Sequence, residues 1–184
     1  MNKKLDRRKK YTRQVLMDSL IALLRMKPIT TITVKEICEK ADINRSTFYA
    51  HYKDQFDLLE QIEEEIITDL TMYLNQYNFT EEEEEALQMT EKLLEYVISK
   101  GEMFQTLLNE NLDHSFERRI MDVARSFIIK SSVIENELDA ETTEYVITYV
   151  LSGSIYVIKQ WVANRMDQSP RQMAELITRL GLKD

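Results

Sequence analysis

The segment "ADINRSTFYAHYKDQFDLLE", residues 41–60, places small polar and aromatic residues directly before a long run with an apolar stripe. Asn44 is a residue type that caps helix N-termini, so the segment predicts a short helix from Arg45 to His51 or Tyr52. Phe48 and Tyr52 are four residues apart and share one side of that helix. The opposite side carries Arg45, Ser46, Tyr49 and Ala50. A short helix with a polar outer side indicates a surface that contacts a partner.

Two further helices precede this one. Thr33 and Glu36 have the spacing of a capping box, in which each side chain satisfies a free backbone N–H of the other residue. The helix that follows carries its apolar residues at 3.6-residue spacing, at Val34, Ile37, Cys38 and Ala41. Cys38 is therefore expected to be a core thiol rather than a nucleophile. An earlier helix spans about Arg8 to Met26, with Leu16, Leu20, Leu23 and Leu24 on one face.

The whole chain has the composition of an all-α protein. It contains only three glycines and two prolines, and it shows no alternation typical of strands. The apolar stripe after residue 53 predicts a fourth helix from about Asp54 to Tyr77, roughly 36 Å long at about 1.5 Å per residue. Later helices are expected at Glu83–Ser99, Met103–Asn111, Leu112–Lys130, Asp139–Arg165 and Pro170–Leu180. The predicted architecture is an N-terminal three-helix helix-turn-helix head, residues 1–53, and a C-terminal helical bundle, residues 54–184.

Charge is distributed unevenly along the chain. The net charge is −8, but residues 1–53 contain 13 Lys and Arg against 5 Asp and Glu. The remainder contains 11 Lys and Arg against 27 Asp and Glu. A basic first third on an acidic body is expected when one end of a protein meets phosphates. The alternative is a solvated basic tail, because much of the excess lies in residues 3–10.

Several classes of protein do not fit the sequence. The single cysteine excludes an internal disulfide and zinc ribbons, and it fits a reducing cytoplasm. No apolar run approaches the ~18 residues of a membrane span, and no secretory signal follows the basic start, so no membrane association is expected. The two histidines, His51 and His114, lack the spacing of a metal-dependent bundle. We therefore expect no enzymatic activity, no metal and no cofactor.

A helix-turn-helix places its second helix in the major groove of DNA, which is wide enough for one helix. In that arrangement Arg45 can pair with a guanine edge, and Ser46 and Thr47 can donate to phosphates or bases. The Tyr49 hydroxyl and the Lys53 amine suit phosphate oxygens. The pattern taken alone also fits an ordinary surface helix in a bundle.

The segment "ITVKEICEKADINRSTFYAHYKDQFDLLEQI", residues 32–62, resembles the DNA-binding segment of the tetracycline-repressor (TetR) family of bacterial transcriptional regulators. The resemblance covers roughly residues 10–62. The matching positions are Thr33, then Thr47, Phe48 and Tyr49, then Tyr52, Lys53 and Asp54, then Leu58 and Leu59. Two positions depart from the pattern, since Asp42 stands where Gly is usual and Ala50 where many members have a larger residue.

The resemblance implies a homodimer that binds a palindromic double-stranded DNA operator. The implied DNA-binding residues are Thr33, Asn44, Arg45, Ser46, Thr47, Tyr49, His51 and Lys53. Of these, Thr33, Thr47, Tyr49 and Lys53 would bind phosphates, whereas Arg45 and Ser46 would read bases. His51 either contacts the DNA backbone or packs at the end of its helix.

The segment "YVITYVLSGSIYVIKQWVANRMDQSPRQMAELI", residues 145–177, resembles a C-terminal domain type of the same family, in which the last two helices pair with those of a second chain. Its apolar surface exceeds what one helix can bury in its own domain, and Ser152, Gly153 and Ser154 permit close helix approach. The expected dimer interface comprises Ile155, Tyr156, Ile158, Trp161, Met173, Leu176, Ile177 and Leu180. The alternative is a helix buried wholly within its own chain.

Family members commonly bind a small molecule in the C-terminal bundle. The candidate lining residues are Tyr73, Leu94, Tyr96, Phe104, Phe116, Phe127 and Tyr149, although aromatic residues at helical spacing are more often core. The sequence thus predicts a cytoplasmic repressor released from its operator by an effector of unspecified identity. The alternatives are a TetR-type activator, and a dimeric helical interaction or ligand-binding protein without operator binding.

Overall fold

The structure, a computed structural model, describes residues 3–76, 83–108, 115–131 and 139–181. These residues form nine α-helices and one 3-10 turn and contain no strand, so the all-α prediction is confirmed. The helices are α1 Lys3–Leu24, α2 Val34–Ala41, α3 Arg45–Tyr49, α4 Gln55–Leu74, α5 Glu83–Ser99, α6 Gly101–Leu107, α7 Ser115–Ser131, α8 Ala140–Ala163 and α9 Pro170–Gly181, and the 3-10 turn is Ile29–Thr31.

Most helix boundaries lie within a few residues of their predicted positions. The first helix begins earlier than expected, at Lys3. The third ends earlier, at Tyr49, because the backbone tightens at Phe48, whose carbonyl accepts from the N–H groups of both His51 and Tyr52. The sixth begins at Gly101 rather than at Met103. Tyr77 and residues 109–114, for which the sequence predicts helix, lie outside the described residues.

The described chain divides into two compact units. The first contains residues 3–66, and the second contains the described residues from Ile67 onward. The first unit includes the N-terminal part of α4, where Leu58 and Ile62 are fully buried. The functional division at residue 53 remains a prediction, because the packing of the first unit continues past that point.

The first unit has a core drawn from all of its helices. Its fully buried side chains are Leu16, Leu20, Ile37, Phe48, Leu58 and Ile62. Cys38 is buried among them, and burial raises the pKa of its thiol above the usual value. The expectation that Cys38 is a core thiol is therefore confirmed.

The second unit is joined by apolar packing and by ion pairs between helices. α9 packs along α5, and Arg171 on α9 lies 3.2 Å from Glu91 and 3.5 Å from Glu84 on α5. The Lys159 ammonium on α8 lies 2.7 Å from the Glu117 carboxylate on α7. The predicted capping box at the start of α9 is present, with Ser169 and Gln172 hydrogen-bonded in both directions.

Among the described helices, α8 is long and apolar enough to span a membrane. In its apolar 18-residue stretch, 22% is buried within the protein. The expectation that no segment approaches a membrane span is therefore too strict for this helix. The core helix of a soluble protein can meet the same requirements.

Candidate DNA-binding site

The N-terminus of α2 is held by a network of hydrogen bonds. The Thr33 N–H donates to Glu36 Oε2 at 3.0 Å, and the Glu36 N–H donates to Thr33 Oγ1 at 3.3 Å, as the capping-box spacing predicts. The other Glu36 oxygen accepts from Lys27 Nζ at 2.6 Å. Lys27 Nζ also donates to the Thr31 carbonyl, so the turn between α1 and α2 is fixed to the first turn of α2.

The Glu36 carboxylate is strongly stabilised in its ionised form. The Lys27 side chain contributes most, followed by the Thr33 backbone N–H and hydroxyl, and together they lower the pKa of Glu36 to about 2. The Thr33 hydroxyl donates to this carboxylate at 2.9 Å. A phosphate contact from Thr33, which remains a prediction, would require the hydroxyl to turn away from Glu36.

The turn between α2 and α3 depends on Asp42. Its backbone is left-handed, with φ 53° and ψ 43°, and its N–H donates to the carbonyls of Cys38 and Glu39. Glycine adopts this conformation most easily, but Asp tolerates it better than most residues. The departure from the usual Gly therefore leaves the turn intact.

α3 is a five-residue helix fixed at its start by Asn44 and along its inner side by Phe48. Asn44 Oδ1 accepts from the Ser46 N–H and the Ser46 hydroxyl, each at 3.0 Å. The predicted cap is therefore present. The Phe48 ring is 0% exposed and lies 5.6 Å from both the Tyr49 and the Tyr52 rings. Tyr49 is 58% exposed, so one edge of its ring is anchored while most of its surface faces solvent.

An open groove lies between the start of α2 and the outer side of α3. The structure brings together Thr33, Arg45 and Tyr49 in this groove, although Thr33 is separated from the other two by the whole of α2. Lys35 also lines it, and this residue was absent from the predicted set. Its position two residues after the capping Thr places it in the first turn of α2, which is a signal the sequence contained. Thr30 and Gln55 line the same groove.

The remaining predicted residues lie on α3 and in the segment between α3 and α4. Ser46 and Lys53 are exposed, whereas Thr47 and His51 are half-buried. The Lys53 N–H donates to the Asp57 carboxylate at 2.7 Å, which fixes the backbone that carries the Lys53 side chain. The His51 ring lies 6.1 Å from that of Tyr52, and a contact between His51 and the DNA backbone remains a prediction.

Both the sequence and the fold of the chain are similar to those of known proteins. A TetR sequence profile described as "Transcriptional regulator C-terminal region" matches residues 84–182, more than half of the chain. The chain belongs to the TetR family of transcriptional regulators.

Relatives and solved structures agree with this assignment. The sequence is 24% identical over 175 residues to the uncharacterized HTH-type transcriptional regulator YxbF of Bacillus subtilis (strain 168). That alignment covers 89% of this chain but 43% of YxbF, so the chain spans less than half the length of that relative.

Two solved structures share the fold. The TetR transcriptional regulator from Streptococcus agalactiae 2603V has a TM-score of 0.67 at 19% identity, covering 99% of this chain and 100% of the other. The transcriptional regulator FadR from Bacillus subtilis, in complex with stearoyl-CoA, has a TM-score of 0.68 at 15% identity, covering 92% and 97%.

In this TetR-family chain only some of the predicted effector-pocket residues lie together. Tyr96, Phe104 and Phe116 form one aromatic cluster, with ring centroids 6.1 and 6.3 Å apart. Tyr149 does not belong to it, because this side chain lies on the outer face of α8 and is 76% exposed. Leu94 is fully buried, Tyr73 is half-buried, and the Phe127 side chain lies outside the described residues.

The predicted dimer-interface residues differ in their exposure to solvent. Ile155, Trp161 and Met173 are buried within their own chain and present little surface to a partner. Trp161 additionally donates its indole N–H to the Gln168 carbonyl at 3.0 Å. These three residues therefore belong to the core of the chain rather than to its outer face. Tyr156, Leu176 and Leu180 are exposed, and Ile158 and Ile177 are half-buried.

We predict that Glu36→Gln lowers the melting temperature of this TetR-family protein at neutral pH, and that the difference narrows in acid. The pKa of Glu36 falls from 4.5 to about 2 on folding, so the stabilisation from its charged contacts is present above the higher value. It is lost as the pH drops from about 4.5 towards 2. Thermal unfolding followed by circular dichroism between these limits measures the effect.

Glu39→Gln is the matched control, because Glu39 pairs with Lys35 at 3.7 Å on an exposed helix face. Such pairs contribute little to stability. If the melting temperatures of the Glu36→Gln variant and the unchanged protein differ by a constant amount across this pH range, the charge of Glu36 does not stabilise α2.

Proposed function

We propose that this protein is a sequence-specific DNA-binding transcriptional regulator that acts in the cytoplasm as a homodimeric repressor. One observation carries this proposal: α3 is locked by Phe48 and Asn44 while Arg45, Ser46 and Tyr49 remain exposed on its outer side. Residues 1–53 would form the DNA-binding domain and residues 54–184 the regulatory domain. A dimer bound over a promoter blocks transcription by occupying it.

The proposed division of roles on α3 follows from side-chain chemistry. The Arg45 guanidinium can form a bidentate pair with a guanine edge, and such a contact specifies sequence. The Tyr49 hydroxyl and the Lys53 ammonium suit phosphate oxygens, and contacts of that kind position a protein without specifying sequence. Thr33 and Lys35, which line the same groove as Arg45 and Tyr49, would meet the adjacent DNA backbone.

We predict that selection from random duplex DNA with the purified protein enriches a palindromic motif. Arg45→Ala should relax the preference at one position in each half-site, at a cost of about 1–3 kcal/mol against the preferred base. Tyr49→Phe, which keeps the ring against Phe48 and removes the hydroxyl, should weaken binding to all sequences alike. Binding isotherms on matched and mismatched duplexes measure both effects.

Arg165→Ala is the control, because it also removes one exposed cation, but from the second compact unit and not from α3. If no motif is enriched at moderate salt, the protein acts through its helical body without operator binding. If both α3 variants lose affinity with an unchanged motif, the assignment of Arg45 to base contacts is wrong.

The proposed dimer rests on the exposed face of α8. Tyr145, Tyr149 and Tyr156 are 70%, 76% and 59% exposed, and their spacing places them along one side of the helix. Gly153 lies on the same side, and a Cβ atom built there would meet nothing within 4 Å. In a two-fold dimer each residue of this face occurs twice, so a small self-complementary apolar surface can bury a large area.

We predict that Tyr149→Glu converts a homodimer into a monomer at micromolar concentration. The substitution places two carboxylates in an apolar contact, where burial of unpaired charge is strongly unfavourable. Met72→Glu on α4 is the matched control, since Met72 is 60% exposed and lies outside this face. Sedimentation velocity measures the change. A wild-type monomer, or a Tyr149→Glu variant that remains dimeric, would contradict this assignment of the interface.

The proposed effector site is the aromatic cluster of the second unit. Phe104 and Phe116 are 2% and 1% exposed, and Tyr96 completes the cluster, donating its hydroxyl to Asp69 at 3.0 Å. The cluster thus connects α4 to α5, α6 and α7. An apolar molecule that enters between these rings would alter packing against α4, the helix that begins in the DNA-binding unit. FadR from Bacillus subtilis, a structural neighbour, is in complex with stearoyl-CoA.

We predict that stearoyl-CoA, the probe suggested by this neighbour, raises the melting temperature and releases the protein from its selected operator, whereas free CoA does neither. At a hundred times its Kd a ligand stabilises a protein by about 2.7 kcal/mol. For a chain of this size that corresponds to a shift of roughly 5–10 °C. Phe104→Trp, which enlarges a buried ring of the cluster itself on α6, should abolish the shift. No shift in the unchanged protein would exclude a long-chain acyl-CoA as the effector.

A further inference from the structure

The first helix extends beyond the core of its own unit. The helix begins at Lys3, and among its side chains that the structure describes, from Arg7 onward, the first buried one is Thr12. Residues 7–11 are all exposed. We call residues 3–11 the basic arm. At about 1.5 Å per residue the arm is roughly 14 Å long, more than two helical turns.

The basic arm carries a high density of positive charge. Its sequence, KKLDRRKKY, contains six Lys and Arg residues against one Asp. Arg7, Arg8, Lys9 and Lys10 form no ion pair with any residue that the structure describes. Three cations farther along the same unit are paired: Arg13 with Glu65, Lys27 with Glu36, and Lys35 with Glu39. Arg7 to Lys10 have no such ion pair among the described residues.

This concentration of charge does not benefit the helix itself. Cations near a helix N-terminus oppose the helix macrodipole. Like charges one helical turn apart, such as those of Arg7 and Lys10, repel each other by a few tenths of a kcal/mol. The attraction of an anionic partner to these cations would offset both unfavourable interactions. The arm therefore has the chemistry of a binding segment rather than that of a stabilising one.

The arrangement of the cations makes contact independent of which side of the arm meets a partner. Successive residues on an α-helix are about 100° apart, so Arg7, Arg8, Lys9 and Lys10 together surround the helix axis. Tyr11, which is 67% exposed, adds a hydroxyl donor at the junction with the core. Because α1 packs on α2 in the same unit as α3, the arm is carried by the unit that presents the proposed base-reading residues.

We propose that the basic arm is a second DNA-binding element, which contacts phosphates of duplex DNA flanking each half-site. The inference rests on the proposed function and extends it, since none of the arm residues belongs to the helix-turn-helix surface. Lys and Arg contacts to phosphates carry no sequence information, so the arm supplies affinity and on-rate rather than specificity.

The test is the salt dependence of binding to the selected operator. The variant R7Q/R8Q/K9Q/K10Q removes four charges from the arm. The control K92Q/K100Q/R118Q/R165Q removes four charges from the second unit and gives the same net charge. The slope of log K against log salt should become shallower by about 0.9 for each phosphate that the arm variant no longer neutralises, and should be unchanged in the control. The enriched motif should be the same for all three proteins, and hydroxyl-radical footprints should be narrower only for the arm variant.

The outcomes separate the two proposals. An arm variant with normal helicity by circular dichroism but the slope and footprint of the control overturns the inference about the arm and leaves operator binding standing. A changed motif in the arm variant also overturns it, because the arm would then read bases. If the unchanged protein selects no motif but still binds DNA with a slope that depends on the arm, the arm inference holds and sequence-specific function fails.

Discussion

A helix of five residues has too few internal hydrogen bonds to hold its own shape in water, so α3 depends on contacts outside itself. The most important of these contacts is the burial of Phe48, because its ring is 0% exposed and packs against the rings of Tyr49 and Tyr52. Replacement of a buried Phe by Ala typically costs about 3–5 kcal/mol. The orientation of every exposed side chain on α3 therefore follows from one apolar contact. The Asn44 cap additionally fixes the first turn of the helix.

Charged side chains in the first unit also help to hold α3 in place. The carboxylates near α2 and α4 accept hydrogen bonds from neighbouring side chains and backbone groups. Glu36 alone accepts hydrogen bonds from Lys27 and from the N–H and hydroxyl groups of Thr33. These contacts hold the start of α2 and thereby support the turn on which α3 packs. The cations of the arm and of the α3 surface have no such structural task among the described residues. Packing and the proposed DNA binding would thus use different charges of the same small unit.

Local signals in the sequence are sufficient to predict the helix-turn-helix, because caps at Thr33 and Asn44 and the spacing of Phe48 and Tyr52 act over a few residues. The C-terminal surfaces are harder to predict. Ile155 and Tyr156 are adjacent on an apolar helix, yet one is buried and the other 59% exposed, and only the neighbouring helices decide between them. For the same reason the sequence pattern wrongly places Tyr149 in the interior. For Lys35 the sequence shows a position in the first turn of α2, but its proximity to Arg45 and Tyr49 comes from the turn at Asp42 and is visible only in the structure.

The burial of Cys38 has a practical consequence. The thiolate is the form that reacts with maleimides and oxidants, and burial raises the pKa of this thiol while also shielding it from reagents. The only native sulfhydryl of the chain is thus protected in the folded state. A cysteine introduced on the surface can be labelled selectively with a fluorophore or spin probe, without first deleting the natural one. Distances between the two DNA-binding units of the proposed dimer could then be followed in solution.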